Sequence, residues 1–128
     1  MPDFQLLSDR TPARLDLGDW AFRLAVALLF VMFGYAKFDS RPDAEWVRIF
    51  RQIGLGQWFR YFTGIVEVAG GLLVLIPKTA LLGLATLAVT MAGAMVAHLL
   101  ALHDGFFAAV PAVLFGALAA MVYQRWNR

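Results

Sequence analysis

Cysteine is absent. That excludes disulfide scaffolds, thiol relays and thiolate-held metals. Histidine is scarce, with only His98 and His103. Two histidines so close on one chain make a poor metal site and do not suit paired haem ligation. Charge is sparse at 16%, and the net value is +2. The basic residues are scattered, so no block points to nucleic acid. No glycine-rich loop follows a strand pattern, which leaves nucleotide binding without its setting. No Ser–His–Asp set is visible, and His103-Asp104 reads as a polar turn rather than an acid–base pair.

Apolar residues fill the space. Of the 128 residues, 61% are hydrophobic, and mean hydropathy is +0.69. Soluble domains run near ~45–50% apolar and ~25% charged, so this is membrane-protein composition. The length allows one membrane domain, over residues 17–128, after a polar tail over residues 1–16. The tail lacks the basic-then-apolar layout of a signal peptide, so the first span is expected to be retained.

The central stretch runs from Tyr61 to Pro77 and carries one carboxylate, Glu67. It is long enough to cross a hydrocarbon core of ~30 Å at ~1.5 Å per residue. A charge at its middle costs ~2.5–3.5 kcal/mol on insertion scales, so Glu67 should face protein or a wet cavity. Three further apolar stretches flank it. The spans are expected at Leu17–Phe38, Trp58–Ile76, Ala80–Leu102 and Phe106–Tyr123. Pro42 and Pro77 fall between them. Pro111 lies early in the fourth span and is expected to kink it. Between spans one and two, Ala44–Ile53 places Trp46, Ile49, Phe50 and Ile53 on one stripe. Glu45, Arg48, Arg51 and Gln52 occupy the other. This amphipathic helix is too short to span and belongs in the interface plane. The expected fold is therefore all-α: an integral membrane four-helix bundle with a short interfacial helix.

Small residues mark the packing faces. Gly34 in span one and Gly64, Gly70 and Gly71 in span two permit close helix approach. Ala108, Ala112, Gly116 and Ala120 form a seam on span four. Thr86 and Thr90 are expected to bond back to their own helix carbonyls. Arg23 is expected to snorkel outward.

Polar groups gather toward one end. Lys37 and Tyr35 close span one, Arg60 opens span two, and His98 nears the end of span three. With Glu67 and Thr90 they could line one pocket, holding a quinone or phenolic head group, a lipid head or a proton-coupled solute. Alternatively, Glu67 pairs with Lys37 or Arg60 and locks two helices. The basic C-terminus and Lys78 favour both termini in the cytoplasm, with the pocket opening outward.

These residues resemble a known family. Phe33-Gly34-Tyr35-Ala36-Lys37, Gly64-Ile65-Val66-Glu67 with Gly70-Gly71 through Pro77, and Gly93-Ala94 with His98 are similar to the span motifs of DoxX-like membrane proteins. The resemblance covers roughly Ala21 to His98. It implies a four-helix inner-membrane protein whose polar positions are Lys37, Glu67 and His98. Some relatives accompany quinone-linked oxidoreductases, so a quinone and a redox partner protein are implied. Without cysteine, thiol redox chemistry by this chain is not expected. The expected function is a subunit or binding protein for a quinone-like or lipid-like ligand, compatible with a homo-oligomer. A proton-coupled exporter and a scaffold without ligand are the alternatives. Small multidrug exporters place their carboxylate in span one, whereas Glu67 lies in span two.

Overall fold

The computed structural model describes residues 13–127, with side chains from residue 17 onward. The Thr11-Pro12 start signal and most of the polar tail lie outside the described residues. Five helices follow: α1 (Ala13–Ala36), α2 (Glu45–Ile53), α3 (Gln57–Leu75), α4 (Ala80–Leu100) and α5 (Ala109–Trp126). No strand occurs among the described residues. Four helices are long and apolar enough to cross a membrane, and α2 is not among them.

The boundaries have local causes. α1 begins earlier than Leu17 and ends two residues before Phe38. Its last turn tightens, with Lys37 and Phe38 amides bonding Gly34 and Tyr35 carbonyls at 3.2 and 3.0 Å. α2 ends at Gly54, whose φ of 88° lets its amide cap Phe50. Pro111 does not break α5. It lies in the first turn, where a missing N–H is no loss.

α1 packs on α3, α3 on α4, and α4 on α5, while α2 rests on α3. Arg125 on α5 meets Asp19 on α1 at 2.7 Å, closing the ring at the terminal end. Glycines set the approach. A Cβ on Gly34 would lie 2.7 Å from the Gly64 carbonyl oxygen, and one on Gly71 would lie 3.2 Å from that of Ala27. The two contacts recur seven residues apart on each helix, the repeat of left-handed pairs. On the other face of α3, a Cβ on Gly83 would lie 2.7 Å from the Gly70 carbonyl oxygen. Where lipid surrounds the helices, such close packing replaces hydrophobic exclusion as the force between them.

Two arginines tie α1 and α3 reciprocally. Arg23 on α1 donates to the Val74 carbonyl at 2.8 Å, in the last turn of α3. Arg60 on α3 donates to the Lys37 and Asp39 carbonyls, just past the end of α1. Each guanidinium thus satisfies carbonyls that a helix end leaves open. Arg23 is buried, not snorkelled outward.

The small-residue seam of α5 is also placed differently from expectation. Ala108 is buried, but Ala112, Gly116 and Ala120 face outward. The core instead gathers Phe30, Val74, Leu84, Leu87, Ala88, Met91 and Leu118. It fills the half of the bundle nearer the chain termini. The half nearer Lys37 is hollow.

Candidate functional site

Glu67 sits one turn beyond Gly64 on α3, and Lys37 one turn beyond Gly34. The two helices run antiparallel, so these residues stand on either side of the glycine contact, and their side chains meet across it. Lys37 Nζ lies 2.6 Å from Glu67 Oε1. Both residues are buried, at 4% and 1% exposure. Trp46 of α2 covers the ammonium, with Nζ 3.8 Å from its ring centroid. The amine is thus held between a carboxyl group and an aromatic face. Glu67 Oε2 has no hydrogen-bond partner among the described residues.

This group forms one end of a cavity of about 770 Å³. That is the size of a small-molecule site. The stripe of α2 roofs it with Trp46, Ile49, Phe50 and Ile53. Aromatic side chains Phe33, Phe59, Phe62 and Phe107 contribute to its walls. Thr90, Gly93 and His98 line it from α4.

The hollow follows from the glycine positions. α3 and α4 are clamped at Gly70 and Gly83. Further along α4, a Cβ on Gly93 would meet no atom within 4 Å. Phe62 of α3, Val89 and Gly93 of α4, and Val110 of α5 line the cavity and are exposed. The cavity is therefore open along this side.

His98 marks the opposite end. Gly70 beside Gly83 puts Glu67 roughly level with Thr86. His98 stands about twelve residues beyond Thr86, about 18 Å along the axis. Its Nδ1 pairs with Asp104 Oδ1 at 2.7 Å. Asp104 is held in place by a backbone bond from its amide to the His98 carbonyl at 3.0 Å. His103 takes the turn, with φ of 52°. Nearby, Gln52 of α2 reaches the Ala101 and Leu102 carbonyls at 3.5 and 3.4 Å. α2 therefore runs from the Lys37 end of the cavity to the His98 end.

Of the residues singled out from the sequence, Glu67, Lys37, Thr90 and His98 line this one cavity. Tyr35 and Arg60 are left out of it. Tyr35 is 76% exposed, turned away from the Gly34 contact. Arg60 shares a face with Glu67 but turns toward the end of α1, and Gln57 Oε1 accepts from its Nε at 2.7 Å. Thr90 spends its hydroxyl on the Thr86 carbonyl at 2.8 Å, as expected. It therefore offers the cavity a methyl group and an acceptor oxygen. Glu67 takes Lys37, rather than Arg60, as its ion-pair partner.

Sequence reasoning missed Trp46 and Asp104. A signal for Trp46 was present: an apolar stripe on a short helix needs something beneath it. Asp104 carried none, because a six-residue turn between two polar groups does not declare their pairing. At the edge of the site, Asp39 lies beyond the end of α1. The Arg41 guanidinium, bonded to both carboxylate oxygens, lowers its pKa to about 2. No metal-holding group of histidine and carboxylate side chains occurs among the described residues.

A family model described as the DoxX-like family matches residues 21–122. The chain belongs to the DoxX-like family. The match reaches all four long helices, entering α1 at residue 21 and leaving α5 at residue 122, and takes in every residue named at the site. With four apolar helices, this DoxX-like chain is a multi-pass membrane protein. No curated protein and no solved structure matches it.

Proposed function

We propose that this DoxX-like protein binds one quinone-like or lipid-like molecule in the cavity beneath α2, as a membrane subunit or binding protein serving a redox partner. The observation that carries the reading is the Lys37–Glu67 pair, buried at the end of an aromatic-walled hollow. Such a hollow suits a molecule with an apolar body and one polar head. The cavity's open side, lined by exposed apolar residues such as Phe62, Val89 and Val110, would lie against acyl chains. Entry from the bilayer would then need no passage through water.

The proton-coupled exporter has less support. Lys37 already occupies Glu67, so a cationic solute would have to displace a buried ammonium at 2.6 Å. A scaffold needs the ion pair but has no use for a hollow of about 770 Å³. We place the protein in the bacterial inner membrane with both termini cytoplasmic, a reading a C-terminal topology reporter tests.

Native mass spectrometry of the purified protein tests the ligand reading. A co-purifying quinone or lipid, lost in Trp46→Ala and in Glu67→Gln, supports it. Wild-type protein free of any such adduct, or equal adduct in all three forms, overturns it.

A further inference from the structure

The reading above leaves open where the ligand's polar head lies, and the inference here rests on that reading. The Lys37–Glu67 end of the cavity is shut. Both carboxyl oxygens of Glu67 are enclosed, and Trp46 covers the Lys37 amine. The other end is polar and accessible. His98, Asp104 and Gln52 line it, with Arg48 and Glu45 further along α2. The charged groups that α1 and α3 bring to the cavity, Lys37 and Glu67, stay at the shut end, and α5 brings none. At the accessible end His98 is held by one ring nitrogen only. Nδ1 pairs with Asp104 Oδ1 at 2.7 Å. Backbone bonds fix Asp104, from its amide to the His98 carbonyl and from the Phe107 amide to its own carbonyl, at 3.0 and 2.8 Å. A carboxylate accepts and does not donate, so the hydrogen between the pair sits on Nδ1. Nε2 bonds no side chain or backbone group among the described residues, and it is not enclosed. In a neutral ring that atom is an acceptor, and in a protonated ring it is a donor.

We propose that His98 Nε2 is the polar anchor of the cavity and accepts the hydroxyl of a phenol-type head group, whose apolar body lies along the aromatic walls toward Glu67. The anchor differs from its polar neighbours in one respect, which is that it changes between acceptor and donor. Arg48 only donates, and an ether oxygen accepts from it as well as a hydroxyl does. Gln52 spends its amide on the Ala101 and Leu102 carbonyls at 3.5 and 3.4 Å. Thr63 and Thr90 spend their hydrogens on their own helix, each at 2.8 Å, and their oxygens accept without regard to pH. A hydroxyl ligand and its methyl ether therefore separate at His98 in a distinctive way. Neutral His98 holds the hydroxyl and sets its lone pair against the ether. Protonated His98 donates to either oxygen and does not tell them apart. Histidine is the side chain whose charge ordinarily changes between about pH 5 and 8, so the preference is expected to change there.

The test uses the full chain in detergent, with equilibrium dialysis of a long-chain alkylphenol, its methyl ether and a short-tailed quinone. Nitrogen NMR of the His98 ring follows its protons over the same pH series. The ratio of phenol to ether affinity is the readout, because a general loosening of the protein affects both ligands alike. The ratio is expected to rise from near one to about five- to tenfold, the span of one neutral hydrogen bond, in step with the neutral fraction of His98. His98→Gln removes the pH dependence of the ratio. Asp104→Asn, whose amide can donate to Nδ1 and move the ring hydrogen to Nε2, lowers the ratio with His98 intact. A preference that ignores pH while His98 titrates belongs to Thr63, Thr90 or Asp104 and overturns the inference. So does a ratio of one with His98 neutral, or a ring that keeps both protons throughout. A quinone that binds where the phenol does not overturns the inference and leaves the ligand reading standing. Failure of all three molecules to bind overturns both.

Discussion

Gly34 and Gly64 meet backbone to backbone, and across that close contact the side chains of Lys37 and Glu67 pair at 2.6 Å. A methyl on Gly34 would fall 2.7 Å from the Gly64 carbonyl oxygen and from Val68 Cγ2. Backbone cannot yield there as a side-chain tip can.

Gly34→Ala should therefore lower stability by ~1–3 kcal/mol, the range of overpacked cores. Gly93→Ala, where nothing lies within 4 Å, should change it by no more than ~0.5 kcal/mol. Unfolding of both variants in mixed micelles checks the contrast. Equal effects would remove the close contact as the organising feature.

The ion pair gives a sharper test. Removing one partner strands a buried charge, which costs ~3–5 kcal/mol in buried pairs. Lys37→Met and Glu67→Leu should each destabilise on that scale. The double variant should recover most of the loss, since apolar replacements of a buried pair are often neutral. A double-mutant cycle measures the coupling. Additive losses would mean that the two side chains act independently.

The reciprocal guanidinium caps predict a local effect. Arg60→Met removes the donors to the Lys37 and Asp39 carbonyls. Hydrogen exchange at the Lys37, Phe38 and Asp39 amides, which close the last turn of α1, should speed up at least tenfold. Arg23→Met should act at the far end of α3 and leave those amides unchanged. Exchange altered at both ends by either variant would contradict separate caps.

Asp39 carries the pH prediction. Its carboxyl sits at about 2, below the ordinary 3.8, because Arg41 bonds its charged form. A depressed value stabilises the folded loop above the unfolded pKa, and that contribution fades as pH falls from 3.8 through about 2. Carbon NMR of the Asp39 carboxyl should titrate near 2, and Arg41→Gln should return it toward 3.8. A wild-type midpoint already near 3.8 would show that the clasp is open.

Much of the architecture was legible because hydropathy and proline placement decide it. All four spans and α2 appear within a few residues of their expected limits, and the stripe of Trp46, Ile49, Phe50 and Ile53 is the one that faces inward. Periodicity reports which face a residue occupies. It does not report where a long side chain goes. Arg60 and Glu67 share a face of α3, yet the guanidinium swings to the end of α1. Arg23 looked like a snorkelling cation because its target, the Val74 carbonyl, belongs to another helix. Ala112, Gly116 and Ala120 looked like a packing seam, but small residues recur at four-residue spacing on exposed faces too. Helix-end counts put Glu67 ~15 Å and His98 ~7 Å below the outer ends of their helices. The Gly70–Gly83 contact, which sets the register of α3 against α4, separates them by about 18 Å.

The central claim is that a bound molecule fills the space between Trp46 and Glu67. An experimental structure of the protein in a lipid nanodisc, purified without added ligand, addresses it most directly. The account predicts non-protein density beside Glu67, continuing past Phe62 toward the open side of the cavity. A hollow closed by collapsed side chains, with Glu67 Oε2 bonded to the protein itself, would contradict it.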